Sequence, residues 1–280
     1  MNFTPEIIDL FFGGLKKQGP GDDAYTLRAL RRLPTQQFSV VVDAGCGTGR
    51  QTLILAKELN ALIHAIDTHQ PFLNELARCA QKVGIDHLIQ THCMDMKDIP
   101  ATFPQIDLLW SEGAAYSIGF SNALNSWAPA INTGGFLVVS EMAWLHKKVP
   151  KVVKEFFQSV YPGMHTNEQI CEIAQNAGYQ VLETFILPDE TWEKDYYDIL
   201  ETRAKSLLDH PDSSVIDFAT DIIKEIEIFL TATKKVTVIP SLFFNGFNTF
   251  FDSVTSFKKG MMSLKTLLMM VTIENIKKRV

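Results

Sequence analysis

From position 38 to 187 the chain alternates short apolar runs with segments whose apolar residues recur every three to four positions. The runs predict strands at 38–43, 61–66, 87–93, 105–110, 135–140 and 179–187. The periodic segments predict helices at 50–59, about 70–83, 121–131, 151–160 and 167–177. Strands separated by helices imply βαβ units and a doubly wound, mostly parallel α/β sheet. Ligands of such sheets lie beyond the carboxyl ends of the strands. Chemistry is therefore expected in the loops after positions 43, 66, 93, 110 and 140.

The flanks read differently. Residues 3–33 hold two helical patterns, interrupted at Gly13-Gly14 and at Gln18-Gly19-Pro20-Gly21. The second starts at Asp22 or Asp23, a good N-cap, carries Leu27, Leu30 and Leu33, and stops at Pro34. The Gly-Pro-Gly between them is either an ordinary turn or a hinge that folds the first helix over a ligand pocket. Residues 189–233 read as helical, with Trp192, Tyr196, Ile199 and Leu200 on one stripe and a second apolar pattern from Val215 to Leu230. The aromatic stripe reads as core or as a substrate wall. The organisation expected is a helical cap over 1–34, a ligand-binding α/β domain over 35–188, and a region over 189–280 that completes or decorates it.

Composition narrows the function. A chain of 280 residues with 46% hydrophobic content forms a sizeable core. Its net charge of -6 and pI near 5.7 argue against a nucleic-acid partner, which wants a basic face. The four cysteines form no C-x-x-C pair, and Cys46 and Cys93 fall in or beside predicted buried strands. That pattern fits a reducing cytoplasm. Glu6 and Asp9 stand where a signal peptide needs basic residues. The apolar stretch Ser263 to Ile273 is too short to span a bilayer and contains Lys265. His87 and His92 stand five apart on or near a strand, so their side chains point to opposite faces, and no metal site is expected. Residues 235–280 carry a net +5, leaving -11 for the rest; this basic tail either meets an acidic partner or anionic lipid, or neutralises the protein's own body. The oligomeric state expected is monomer or homodimer.

The chemistry-bearing stretch is Val40 to Thr52, where three β-branched residues end on Asp43 and Gly45, Gly47 and Gly49 follow at two-residue intervals. The glycines permit a tight turn and let a ligand approach bare backbone, and the helix behind them presents amide hydrogens to an electronegative group. A dinucleotide fingerprint, Gly-x-Gly-x-x-Gly, puts its third glycine where Arg50 stands. Asp43 is instead free to face a cation. Asp67 ends the second strand 18 residues beyond the last glycine, placed either to take both ribose hydroxyls or to cap the next helix. Asp95 ends the third strand, as an acceptor for an adenine amino group or as a turn residue.

Asp-x-Gly-x-Gly-x-Gly resembles motif I of the class I S-adenosylmethionine-dependent methyltransferases. The likeness extends over residues 38–187: Asp67 matches the ribose-binding acid and Asp95-Met96 the adenine-side pair. A narrower similarity is to a bacterial branch of small-molecule methyltransferases with no assigned substrate. Its marks are Phe11-Phe12 with Gln18 to Gly21, Trp110 to Tyr116, Ser140 to Trp144, and Phe185 to Pro188 with Trp192. The resemblance implies a Rossmann-like, seven-stranded sheet whose last strand is antiparallel, with extra helices at the N-terminus and after strand six. Val236 to Phe244, which contains Pro240, and Leu264 to Ile273 compete for that last strand. It also implies S-adenosylmethionine as cofactor, leaving as S-adenosylhomocysteine. The residues implied to bind it are Gln18, Gly21, Asp43, Ala44, Gly45, Cys46, Gly47, Gly49, Gln51 and Thr52. Asp67, Thr68, Phe72, Asp95, Met96, Ser111, Glu112 and Gly113 complete the set.

Methyl transfer from a sulfonium is an in-line displacement that chiefly needs alignment and exclusion of water. A base is required only if the nucleophile must lose a proton. Glu112 is the candidate base, with a solvated loop carboxylate or an ammonium anchor as its other readings; His146 is a second candidate. Tyr116 and Trp144 read as an aromatic wall for an apolar or cationic substrate, or as packing. Trp110-Ser111-Glu112-Gly113 departs from the Asn/Asp-Pro-Pro-Tyr/Phe motif of amide and exocyclic-amine methyltransferases, which leaves a small molecule as the acceptor. Three functions stay open: a small-molecule methyltransferase, a nicotinamide-dependent oxidoreductase, and a cofactor-binding protein without catalysis.

Overall fold

The computed structural model describes residues 4–35, 37–144, 148–188, 190–232 and 267–273. Two N-terminal helices come first, α1 (Pro5–Phe12), capped by Thr4, and α2 (Asp23–Arg32), capped by Asp22. The alternating region follows with β1 (Val41–Ala44), α3 (Arg50–Leu59), β2 (Ile63–Asp67), α4 (Gln70–Lys82) and β3 (Ile89–Cys93). It continues with the short α5 (Ile99–Thr102), β4 (Ile106–Ser111), α6 (Phe120–Trp127) and β5 (Ile131–Glu141). Next come β6 (Ala143–Trp144), α7 (Lys151–Val160), β7 (His165–Thr166), α8 (Asn167–Asn176) and β8 (Tyr179–Ile186). The last elements are α9 (Glu190–Trp192), α10 (Asp198–Ser206), α11 (Ser213–Ala232) and β9 (Leu267–Ile273).

Seven strands form one sheet in the order β3-β2-β1-β4-β5-β9-β8. All neighbours are parallel except β9, which runs antiparallel between β5 and β8. This is the doubly wound, mostly parallel fold the strand–helix alternation predicts. Of the two segments competing for the last strand, 267–273 supplies it; 236–244, like His146 and most of the basic tail, lies outside the described residues. The strand order reverses between β1 and β4, which opens a crevice at their carboxyl ends.

Among the described residues two large apolar cores stand out beside a small one at Cys46, Ala65, Leu73 and Leu76. One lies against the sheet and includes Val41, Ile66, Leu108, Trp110 and Val138. The other joins α1, α7, α10 and α11 through Phe11, Phe157, Leu200, Phe218 and Ile222. It roofs the crevice.

Some expected boundaries move for local reasons. Strand five begins at Ile131, not 135, because Gly134-Gly135 makes a bulge and does not end a helix. Gly134 sits at φ 80°, and the register against β4 shifts between Ile106 and Leu108. Strand three begins at Ile89, since His87 lies in a 3₁₀ turn. It is an edge strand, so Cys93 is exposed where a buried position was expected. His92 on that strand meets His64 of β2, ring nitrogens 3.1 Å apart. In the C-terminal stripe, Ile199 is exposed while Tyr197 and Leu200 are buried. A π-helical turn at Glu193–Tyr197 adds one residue and advances the helical phase.

Candidate active site

The crevice holds a cavity of about 660 Å³ that runs from the glycine turn to the roof helices. The turn is shaped by backbone that only glycine tolerates: Gly45, Gly47 and Gly49 have φ of 73°, 55° and 80°. All five amides from Gly45 to Gly49 are used within the protein. Gly45 and Cys46 donate to the Ile66 carbonyl (2.8 and 2.9 Å) and Gly49 to the Cys46 carbonyl (2.9 Å). Gly47 donates to Asp67 Oδ2 (2.9 Å) and Thr48 to Gln18 Oε1 (2.9 Å). The turn amides ahead of α3 are therefore engaged within the protein, and they form no anion nest. A pyrophosphate needs such a nest; a ligand that is cationic at this end does not.

The expected cofactor residues separate into two layers. Gln18, Gly45, Cys46, Gly47 and Gln51 line the cavity. So do Asp67, Thr68, Phe72, Asp95 and Met96, and, from the loop after β4, Glu112, Gly113 and Tyr116. Gly21, Asp43, Ala44, Gly49, Thr52 and Ser111 do not reach its surface. Thr52 donates to Asp43 Oδ2 (2.5 Å), and Ser111 to the Ala44 carbonyl (3.0 Å), so these residues brace the turn from behind. Gly49 packs on Leu76 of α4. Trp144 is not part of the wall either; it stands edge-on to Phe157 with ring centroids 6.0 Å apart.

Asp67 performs two local tasks at once. Its second oxygen, Oδ1, accepts the His69 amide at 2.8 Å in the turn before α4, whose N-cap is His69 and not Asp67, while Oδ2 holds the glycine turn. Each carboxylate oxygen has a second lone pair, and Asp67 still faces the cavity. Bracing the turn leaves acceptor capacity on Asp67 for a ligand.

Glu112 corrects the simplest picture of a base. Its carboxylate forms an ion pair with Lys17 and accepts from Thr26 Oγ1 (2.7 Å) and Trp110 Nε1 (2.9 Å). Three donors, two of them from the N-terminal segment of the chain, engage this carboxylate. Further ties run from Arg50 to Asp22 (3.7 Å), Asp23 and Asp195 (3.6 Å), and from His69 to Asp9 (2.8 Å). Arg50, which breaks the dinucleotide fingerprint, is thus a tether. The Gln18–Gly21 segment lies on the glycine turn and lines the cavity through Gln18, Gly19 and Pro20.

At the far end of the cavity Trp192 and Tyr196 of the aromatic stripe do form wall, while the acids and the tyrosine beside them carried no sequence signal. Glu141 at the end of β5, Tyr161 after α7, and Glu225 and Ile222 on α11 line it with Trp192 and Tyr196. Glu141 is 3% exposed, and its Oε2 has no hydrogen-bond partner. Burial pushes its carboxyl up to about 8, partly offset by the nearby Tyr161 phenol and the Met142 amide. Asp43 is likewise pushed up to about 7 by burial against the Thr52 hydrogen bond, and its Oδ1 is unpartnered. A carboxyl raised in the folded state adds stability below its unfolded value and loses it as pH rises through the folded one. For Glu141 that window runs from 4.5 to about 8. Glu141→Gln should therefore gain on the parent by up to about 1.4 kcal/mol per pH unit across it. Thermal melts from pH 5 to 9 check this: a melting-temperature difference independent of pH would mean Glu141 ionises freely.

Among the described residues, no helix is long and apolar enough to cross a membrane, and no three His, Cys, Asp or Glu side chains are grouped to hold a metal ion.

Residues 41–135 match a family described as "Methyltransferase domain". The "Uncharacterized methyltransferase YodH" of Bacillus subtilis (strain 168) is 23% identical over 213 residues, 70% of this chain and 89% of that protein. The "Malonyl-[acyl-carrier protein] O-methyltransferase" of Enterobacter lignolyticus (strain SCF1) is 29% identical over 115 residues, 41% of this chain and 43% of that protein. Among solved structures, a methyltransferase from Thiobacillus denitrificans in complex with S-adenosylhomocysteine superposes with a TM-score of 0.72. It covers 98% of this chain and 100% of that one at 15% identity, a shared fold.

Proposed function

We propose that this chain is an S-adenosylmethionine-dependent methyltransferase acting on a small molecule, of the bacterial branch that its Gln-Gly-Pro-Gly and Trp-Ser-Glu-Gly segments resemble. The observation that carries the reading is the glycine turn. Its five amides are used internally while Asp67 and Asp95 face the cavity and buried Asp43 backs it. That arrangement suits a nucleoside with a cationic amino-acid arm better than a dinucleotide pyrophosphate. Bound there, S-adenosylmethionine supplies an electrophilic methyl carbon: the acceptor's lone pair forms the new bond, the carbon–sulfur bond breaks, and its electron pair stays on sulfur.

The chain's own residues then divide the remaining tasks. Asp67 receives the ribose hydroxyls on its free lone pairs, and Asp95 with Met96 borders the base. Gln18 and the Lys17–Glu112 pair hold the cap over the cavity and exclude water. Glu112 is a positioning residue in this reading, and the carboxyl with free accepting capacity is Glu141.

Calorimetric titration with S-adenosylmethionine, S-adenosylhomocysteine and NADH tests the reading. Micromolar binding of the first two and none of the third is expected; binding of NADH alone would overturn it. Asp67→Ala should weaken S-adenosylhomocysteine by about 1.5–3 kcal/mol, the scale of hydrogen bonds to a charged group. An unchanged affinity in a folded variant removes Asp67 from the site.

A further inference from the structure

We propose that the methyl acceptor is an amine, bound as its ammonium ion between Glu141 and Glu225 in the aromatic end of the cavity, where it passes one proton to the Glu141 carboxylate so that the freed nitrogen lone pair takes the methyl group. This rests on the methyltransferase reading above and goes beyond it by naming the substrate's charge and functional group.

The argument begins with charge. Five acids line the cavity, Asp67, Asp95, Glu112, Glu141 and Glu225, against two lysines. Both lysines are paired within the protein, Lys17 with Glu112 and Lys97 with Asp95 (3.6 Å). Asp67 belongs to the glycine-turn end. Glu141 and Glu225 are left at the other end, and neither forms an ion pair among the described residues. Half-buried Glu225 accepts the Tyr197 hydroxyl (2.7 Å), and Glu141, 3% exposed, accepts the Met142 amide on Oε1 (3.0 Å) while its Oε2 accepts nothing. A buried carboxylate oxygen without a partner is costly until a donor arrives.

The walls around these acids suit a cation. Tyr116 and Tyr161 meet edge to face with centroids 5.8 Å apart, and Trp192 and Tyr196 line the same end. Tyr116, half exposed, lines the same cavity as both carboxyls. Aromatic faces joined to carboxylates bind ammonium groups through the ring quadrupole and charge-assisted hydrogen bonds. Desolvation raises the carboxyls of both Glu141 and Glu225, and an ammonium beside them would favour their ionised forms. An acidic or phosphorylated acceptor would face two carboxylates and no unpaired lysine.

The test uses probes that differ only in charge. Protein saturated with S-adenosylhomocysteine is titrated at pH 8.5 with choline and with its neutral isostere 3,3-dimethylbutan-1-ol. A second pair is 2-phenylethylamine and 2-phenylethanol. At least one cation should bind roughly tenfold or more tighter than its neutral twin. Glu141→Gln and Glu225→Gln should each erase most of that preference while S-adenosylhomocysteine affinity stays within a few fold. Equal binding of the twins, no binding of either cation, or a preference that survives in both variants would overturn the inference. Absence of S-adenosylhomocysteine binding in the parent protein would instead sink the cofactor reading, and this inference with it.

Discussion

Glu112→Gln is expected to lower the unfolding free energy by about 3–5 kcal/mol, the usual penalty for removing one partner of a buried ion pair. Glutamine keeps the size of the side chain and can still accept from Thr26 and Trp110. What it removes is the charge that compensates Lys17, whose side chain is only 9% exposed. The Lys17 ammonium must then stay buried without a counterion or pull the Gln18–Gly21 segment off the glycine turn. Urea denaturation measures the loss, and limited proteolysis shows whether the cap is what loosens. Replacing both partners, Lys17→Met with Glu112→Gln, should recover much of the stability, since no uncompensated charge remains. The same variant separates two roles. A general base would give a normally stable protein with turnover abolished, whereas a strap gives a weakened protein whose turnover falls with the cap. Unchanged stability and lost turnover would restore Glu112 as the base.

Gly49→Ala should be nearly as damaging, by about 2–5 kcal/mol. Two effects combine. At φ 80° an alanine sits in the left-handed region, at about 1–2 kcal/mol. Its Cβ would also lie inside the Leu76 side chain, one of the fully buried residues of α4, and overpacking adds about 1–3 kcal/mol. Gly84→Ala is the control, because its φ of 75° is similar but nothing lies within 4 Å of the added methyl. That variant should lose only the backbone part. If chemical denaturation gave equal losses for the two, Leu76 would be yielding freely and the close approach of α4 to the turn would carry no stability.

These two sites differ in how far they can be read without the fold. Gly49 belongs to a strand, turn and helix contiguous in the chain, and a tight left-handed turn admits few residues besides glycine, so its composition is legible. Asp43 and Asp67 share that advantage, since each ends a short apolar run. The doubly wound sheet was legible for the same reason: strand and helix periodicities alternate in order along residues 41–186. Periodicity was less reliable where backbone geometry changed it, at the Gly134-Gly135 bulge and at the π-helical turn before Leu200.

What only the tertiary structure decided are pairings between distant residues. Glu112 looked free because its partner Lys17 lies 95 positions away, on a segment without strong periodicity. The glycine turn looked open to a ligand because Gln18, 30 positions before Thr48, gives no local sign that it accepts from that backbone. Glu141, Tyr161 and Glu225 come from a strand end, a loop and a helix, and converge because α11 folds back over the carboxyl ends of the strands. By itself the sequence determined the sheet, the glycine turn and the acids at its strand ends, since each depends on residues a few positions apart. Which carboxylate is tied down and which is left open to a substrate depends on long-range packing, which no local pattern of apolar and polar positions encodes.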